Sequence, residues 1–434
     1  MAIIPQSIET VGSRQPATTD RRAMAMVTAL FFMWGFITCL NDILIPHLKS
    51  IFDLNYAEVM LVQFSFFSAY FVFSFPSGKI IDRFGYGKTM VAGLVTMGVG
   101  ALLFVPAASA PSFPLFLTAL IILAAGMTLL QTAANPYVAV IGPPQTASSR
   151  LNLAQAFNSL GTTLAPAFGS TLILGAVAAP LAIEVLRDYT PQQLQVYRAS
   201  QAASVKTPYI ILSVVLFALA LALALFKLPS MPEAHAHGEA HDSIWRYRHL
   251  VFGAGAIFVY VGAEVAIGSL LTNYLNQPDI GNLPMSEAAG MLKYYWGGAM
   301  VGRFVGAALL QRMRTGRLLA IHAVAACFLV LVSVVTTGNV AMWSLIAVGL
   351  FNSIMFPGIF TMAIDGLGPL TGDASGLLVA AIVGGAFIPE LQGLLADKVG
   401  LQLSFVLPAV CYVYIAFYAL KGSKPLHPHR IDLA

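Results

Sequence analysis

Hydrophobic positions along this chain gather into long apolar blocks separated by short polar breaks. Crossing a hydrocarbon layer of roughly 30 Å takes about 20 apolar residues. Blocks of that length predict helices over 24–47, 59–81, 88–109, 113–141, 150–176, 205–227, 249–275, 287–311, 317–337, 341–365, 374–396 and 401–420. The longest polar stretch near the middle, 228–248, holds Pro229, Pro232, His235, His237 and His241 and divides six helices from six. Its composition reads as a solvated linker rather than a metal site. The expected layout is an N-terminal six-helix bundle over 1–227 with a polar tail at 1–22, a cytoplasmic linker at 228–248, and a C-terminal bundle over 249–434.

Composition puts those helices in lipid. Of 434 residues, 58% are hydrophobic and only 10% are charged, with a mean hydropathy of +0.79. Soluble domains run near ~25% charged. The net charge of +4 is scattered in short clusters, which argues against a nucleic-acid partner. Cys39, Cys327 and Cys411 lie in apolar runs without a spacing that would make a disulfide framework or a metal site. The first 22 residues include Pro5 and Pro16 and give no expectation of a cleavable signal peptide. Arg14, Arg21, Arg22, Arg83, Lys88, Arg150, Lys227, Arg246, Arg248, Arg312, Arg314 and Arg317 fall on one side of the spans, with Lys421, Lys424 and Arg430. Lys49, Arg187, Arg198, Lys206 and Lys398 fall on the other. Because positive charge favours the cytoplasmic side, both termini are expected there.

Landmarks recur at one offset. Asp42 and Glu264 are 222 residues apart, Pro136 and Pro357 are 221 apart, and Pro166 and Pro389 are 223 apart. Gly161-x4-Pro166 returns as Gly384-x4-Pro389. Helices 1–6 and 7–12 therefore read as duplicated copies. The turn after helix 2 runs Gly78-Lys79-Ile80-Ile81-Asp82-Arg83-Phe84-Gly85-Tyr86-Gly87-Lys88. It resembles the G-x3-D-R-x-G-[RK]-[RK] signature of the major facilitator superfamily. The glycines suit a tight turn and close helix contact, and Asp82 and Arg83 suit a lock between neighbouring helix ends. The counterpart around Arg312-Met313-Arg314 is degenerate.

Acids inside a span need a reason, since each costs about 2.5–3.5 kcal/mol at the bilayer centre. Asp42 shares a helical stripe with Thr38 and Gly35, and Glu264 occupies the matching place in helix 7. Both are candidates for binding or sensing a coupled cation. Glu390 stands directly after Pro389 without a clear role, and Arg303 and Lys293 read as snorkelling or structurally paired. Amides align beside the acids: Thr128, Gln131 and Asn135 on helix 4, and Asn152, Gln155, Asn158 and Thr162 on helix 5. Asn273 and Tyr274 on helix 7, Tyr294, Tyr295 and Trp296 on helix 8, and Asn352 on helix 10 add to them. Each sugar hydroxyl buried without a partner costs about 1–3 kcal/mol, so stripes of amides near aromatic rings are what a hexose site requires.

Asn41-Asp42-Ile43-Leu44, Gln131-Thr132-Ala133-Ala134-Asn135-Pro136-Tyr137-Val138 and Arg150-Leu151-Asn152-Leu153-Ala154-Gln155-Ala156-Phe157-Asn158-Ser159 resemble the fucose–proton symporter family. Thr207-Pro208-Tyr209-Ile210 and Tyr260-Val261-Gly262-Ala263 extend the likeness over essentially the whole chain. The resemblance implies the all-α major facilitator fold of 12 transmembrane helices in two pseudo-symmetric halves, with alternating access to a central sugar site. It further implies proton coupling at Asp42 and sugar contacts from Gln155 and Asn158. Fucose permeases carry a glutamate where this chain has Gln131, which cannot titrate. That departure, with Glu264, is closer to the glucose/galactose branch, where sodium coupling also occurs.

The expectation is a monomeric secondary transporter of the bacterial inner membrane, not an enzyme and without a cofactor. It would take up glucose, galactose or mannose with H+ or Na+. Asp42 and Glu264 would handle the cation, and Gln131, Asn135, Gln155, Asn158, Asn273 and Asn352 the sugar. Gly78, Asp82, Arg83 and Gly85 would form the cytoplasmic gating motif. An L-fucose–proton symporter and a drug or metabolite exporter are the alternatives.

Overall fold

The computed structural model describes residues 18–52, 56–169, 189–229 and 243–424. The side chains at 40–51, 56–61, 63, 166–169 and 286 lie outside the described set, Asp42 among them, as do His235, His237 and His241 of the linker. The described chain is helical: α1 (Arg21–Phe52), α2 and α3 (the arms 56–84 and 86–109 of Tyr56–Ser109), α4 (Phe113–Val140), α5 (Ala147–Gly169) and α6 (Pro191–Leu225). After the linker come α7 (Arg248–Asn276), α8 (Met285–Leu309), α9 (Thr315–Val335), α10 (Gly338–Ala363), α11 (Gly368–Val399) and α12 (Leu401–Gly422). In lipid, backbone groups have no water to bond, so helices that satisfy themselves are the economical solution.

Among the described residues, nine stretches are long and apolar enough to cross a membrane. One of them, Phe64–Ser109, is two spans joined at Gly85, whose φ of 79° and ψ of 166° favour glycine and break the helix at the turn between α2 and α3. Two further spans, α5 and α8, are too polar to count by hydropathy. Arg150, Asn152, Gln155 and Asn158 lie on α5, and Glu287, Lys293 and Arg303 on α8. The helices that fail as lipid-soluble segments are those that face each other across the middle of the molecule.

One boundary differs from the sequence expectation. The apolar block at 205–227 is only the inner part of α6, which begins at Pro191. A capping box starts it early: the Gln193 amide donates to Thr190 Oγ1 (3.3 Å) and the Thr190 amide to Gln193 Oε1 (2.9 Å), with Pro191 in the first turn. The extension carries Gln192, Gln193, Gln195 and Arg198, polar residues that hydropathy alone reads as a loop.

The duplicated landmarks do the same job in each half. A Cβ at Gly161 would run into the Phe32 carbonyl of α1, and one at Gly384 into the Phe258 carbonyl of α7. Gly35 meets Asn158 and Gly262 meets Ile388 at the same two crossings. The α1–α5 and α7–α11 pairs thus approach backbone to backbone, as small residues allow in membranes.

The halves are joined along a seam that starts at the end bearing the α2–α3, α4–α5 and α8–α9 turns, here called the basic end. Ser148 Oγ bonds Thr361 Oγ1 (2.6 Å) and accepts from Thr315 Oγ1 (2.8 Å). Ser149 Oγ donates to the Ala307 carbonyl (2.6 Å), and Asn152 Nδ2 to the Arg303 carbonyl (2.6 Å). Pro136 lacks an N–H, which frees the Thr132 carbonyl one turn back; Ser375 Oγ of α11 donates to it at 2.7 Å. A further bond between the halves runs from Thr163 Oγ1 to Met300 Sδ (3.5 Å).

Candidate functional site

Most hydroxyls within the spans satisfy themselves. Thr128, Thr132, Ser77 and Thr96 each donate to the carbonyl four residues back. An amide or carboxylate cannot do this as readily, so those groups depend on neighbouring helices, and one left without a partner marks a candidate ligand contact.

In the first half, Gln131 Nε2 donates to Tyr70 Oη of α2 (2.5 Å), and the Trp34 indole of α1 also bonds Tyr70. Gln131 Oε1 is buried with no partner. One turn along α4, Asn135 is fully buried, and neither its Nδ2 nor its Oδ1 has a partner. Asn158 Nδ2 is spent on the Phe31 carbonyl of α1 (3.0 Å), so it ties α5 to α1. Gln155 is buried one turn below it.

In the second half, Glu264 is bonded through its carboxyl to the Tyr260 side chain and lies within range of the Arg303 charge, while its Oε1 is buried and unpartnered. Asn352 is saturated: its Nδ2 donates to Tyr295 Oη (2.9 Å), and its Oδ1 accepts from Tyr412 Oη (2.7 Å). Tyr295 donates to the Glu264 carbonyl (3.1 Å) and Tyr260 to the Asn352 carbonyl (3.2 Å). Four helices, α7, α8, α10 and α12, are thereby locked around one amide.

Gln131 and Asn352 stand five residues before Pro136 and Pro357, and each bonds a tyrosine, on α2 and on α8. The duplication therefore includes a tyrosine–amide pair. The tyrosines Tyr70, Tyr260 and Tyr412 were not among the expected site residues, because tyrosine is common in apolar spans and gives no signal until its hydroxyl finds a partner.

Of the two roles expected for Arg303, snorkelling or structural pairing, the structure has the second. Arg303 Nη1 donates to the Gln155 carbonyl (3.2 Å) and to Ser159 Oγ, both on α5 in the other half. It also faces Glu264 in its own half. A cation in a low-dielectric interior needs such compensation to stay charged.

Of the remaining expected residues, Asn273 is exposed and lies more than two turns along α7 from Glu264, away from the cluster. Glu390 is exposed on α11, and Lys293 stacks on Tyr294 with its Nζ 5.1 Å from the ring centre. The Gly78–Gly85 motif, expected to gate, meets α11 at the basic end. A Cβ at Gly78 would stand 3.1 Å from the Gly372 carbonyl, and one at Gly372 would stand 2.5 Å from Asp82 Oδ1. The Asp82 carboxylate thus lies at the first turn of α11, where the helix dipole favours an anion. Arg83 is exposed and sits over the Phe84 ring at 5.5 Å.

Chemically, the arrangement offers a paired amide with a free acceptor on one side and a carboxylate with a free acceptor on the other, and a guanidinium bridges the halves. Among the described residues no cluster of three or more His, Cys, Asp or Glu could hold a metal.

Residues 25–389 match the family model of the Major Facilitator Superfamily. The chain is 51% identical over 404 residues to the glucose/galactose transporter of Brucella abortus, covering 93% of this chain and 94% of that one. It is 35% identical over 413 residues to the L-fucose-proton symporter of Escherichia coli, covering 92% and 93%. The crystal structure of a transporter, FucP, in the outward conformation superposes with a TM-score of 0.85 at 34% identity, covering 91% of this chain and 97% of that one.

Proposed function

The chain belongs to the major facilitator superfamily, and on that premise we propose that it takes up a neutral hexose, glucose or galactose foremost, by symport with a proton or sodium ion. The observation that carries this reading is the pair of unsatisfied acceptors, Gln131 Oε1 and Glu264 Oε1, held in two halves that share a tyrosine–amide motif. A polyhydroxylated ligand can donate to such acceptors, and burial without donors is costly. The 51% identical relative named as a glucose/galactose transporter supports the same substrate class.

In this reading the halves are 1–227 and 249–434, joined by a cytoplasmic linker at 228–248, and the basic end with both termini faces the cytoplasm of a bacterial cell. The protein works as a monomer in the inner membrane and needs no prosthetic group. Sugar enters from the opposite end while the seam keeps the cytoplasmic side shut. Gln131, Asn135 and Gln155 contact it, while Asn158 and Asn352 hold the flanking helices in place. Asp42 and Glu264 receive the cation. Neutralising Glu264 removes the charge that Arg303 faces in its own half, which alters the balance holding its guanidinium across the seam. Gly78, Asp82, Arg83 and Gly85 govern the parting of α2 from α11, and the halves then rock to release sugar inside.

The test is uptake of labelled glucose, galactose, mannose and fucose into proteoliposomes under separately imposed sodium and proton gradients. Accumulation of a hexose under one gradient identifies both solutes. Accumulation of fucose alone would make the protein a fucose symporter, and no accumulation of any sugar would favour export of another metabolite. The companion variant Asp42→Asn is expected to lose gradient-driven accumulation while keeping sugar exchange. Loss of exchange and binding together would remove Asp42 from coupling.

A further inference from the structure

Trp296 lies outside every contact described so far. Turning 100° per residue along α8, it falls with Met300, Arg303 and Ala307 inside a sector of roughly 60°. That sector faces the other half: Arg303 bonds α5, and Met300 Sδ accepts from Thr163. Val301 and Val305 point the opposite way and are 52% exposed each, as lipid-facing positions should be. Trp296 is 42% exposed although it lies on the inward sector, so its open surface belongs to the space between the halves rather than to lipid.

The indole is firmly seated. Its benzenoid edge rests on Gly268 of α7, where an added Cβ would come within 2.9 Å of Cζ2. The Tyr295 ring stands edge-on to it at 5.0 Å and 77°. Gly268 is one helical turn, about 6 Å, from Glu264, the residue with a buried, unpartnered carboxylate oxygen. A partly open indole and an orphan acceptor therefore sit on successive turns of the same wall.

We propose that Trp296 is the stacking platform of the hexose site and a determinant of which sugars it accepts. The inference rests on the transport reading above and goes further by assigning the sugar's orientation. A pyranose has faces bearing C–H groups and a rim bearing hydroxyls. The C–H face meets the π-cloud of the indole, and the rim then points a hydroxyl at Glu264 Oε1. Galactose, whose axial 4-hydroxyl leaves a continuous C–H patch on one face, fits this surface better than mannose, whose axial 2-hydroxyl interrupts the opposite pattern. The glycine beneath the ring lets the indole lie close against α7, so a larger residue at 268 would tilt the platform.

The experiment uses purified full-length protein and proteoliposomes. Trp296→Ala is expected to raise KM for galactose roughly three- to tenfold, the worth of one ring contact, with the maximal rate retained. Trp296→Phe should recover much of that loss and Trp296→Leu little. Titrating galactose into wild-type protein should shift the tryptophan emission, and the shift should shrink in Trp296→Phe to what Trp34 beside Tyr70 contributes, yet persist in full in Trp343→Phe. Should Trp296→Ala fail to fold, the phenylalanine and leucine variants carry the comparison. Unchanged KM in these variants, or an emission shift undiminished in Trp296→Phe, overturns the platform while leaving transport intact. A wild-type protein that binds no hexose overturns the transport reading and this inference together.

Discussion

The two halves hold the same tyrosine–amide pair but use it differently. In the first half Gln131 gives its nitrogen to Tyr70 and keeps a free oxygen. In the second, Asn352 has given up both polar atoms, to Tyr295 and to Tyr412. One copy remains available to a ligand, and the other has become a brace that fixes α7, α8, α10 and α12 around Glu264. The repeat supplies two equivalent positions, and a hydroxyl on α12 separates them: in the proposed function the open one is the reader of sugar and the closed one the scaffold.

This contrast can be broken by experiment. The largest effect is expected from Glu264→Gln, which keeps the shape of the braced pocket but removes its charge. Accumulation against a gradient should disappear while counterflow of labelled sugar continues, and persistence of full accumulation would show that the second half carries no cation. Next come matched leucine variants of the two amides. Asn352→Leu strands the Tyr412 hydroxyl and takes the amide donor from Tyr295, which keeps the Glu264 carbonyl; it should destabilise the protein by about 1–3 kcal/mol, seen as a lower thermal midpoint in detergent. Gln131→Leu takes one donor from Tyr70, which keeps the Trp34 indole, so its midpoint should fall less while its KM for sugar rises more. Equal midpoints for the two would erase the distinction between reader and brace. The smallest effect is expected from Tyr412→Phe, which frees Asn352 Oδ1 alone. A loss of about 1 kcal/mol with transport kept would fit the bracing role, and a gain of sugar affinity would show the freed oxygen joining the site.

Much of this architecture is legible in the chain because lipid makes hydropathy a strong signal. Most helix positions follow from apolar runs, and the break between α2 and α3 falls at Gly85 within the motif the sequence marks. The polar start of α6 does not follow, since a capping box outweighs hydropathy there. The acids and amides stand out because a polar group in lipid is costly, yet their employment is hidden. Whether Asn158 meets sugar or the Phe31 carbonyl depends on how closely α1 crosses α5, a matter of glycines on two helices. Arg303 is ambiguous for the same reason: a long side chain can reach lipid headgroups or the opposite half, and only the packing chooses. Tyr70, Tyr260 and Tyr412 escape notice because their rings are at home in an apolar span and their hydroxyls declare themselves only across helices.

Four bonds of the seam end on main-chain carbonyls: those of Ala307, Arg303, Gln155 and Thr132. A carbonyl is the one acceptor that mutation of its own residue leaves in place. Lineages diverging from this chain can therefore exchange side chains around the sugar, and even drift at the acceptor positions, without dismantling the closure between the halves.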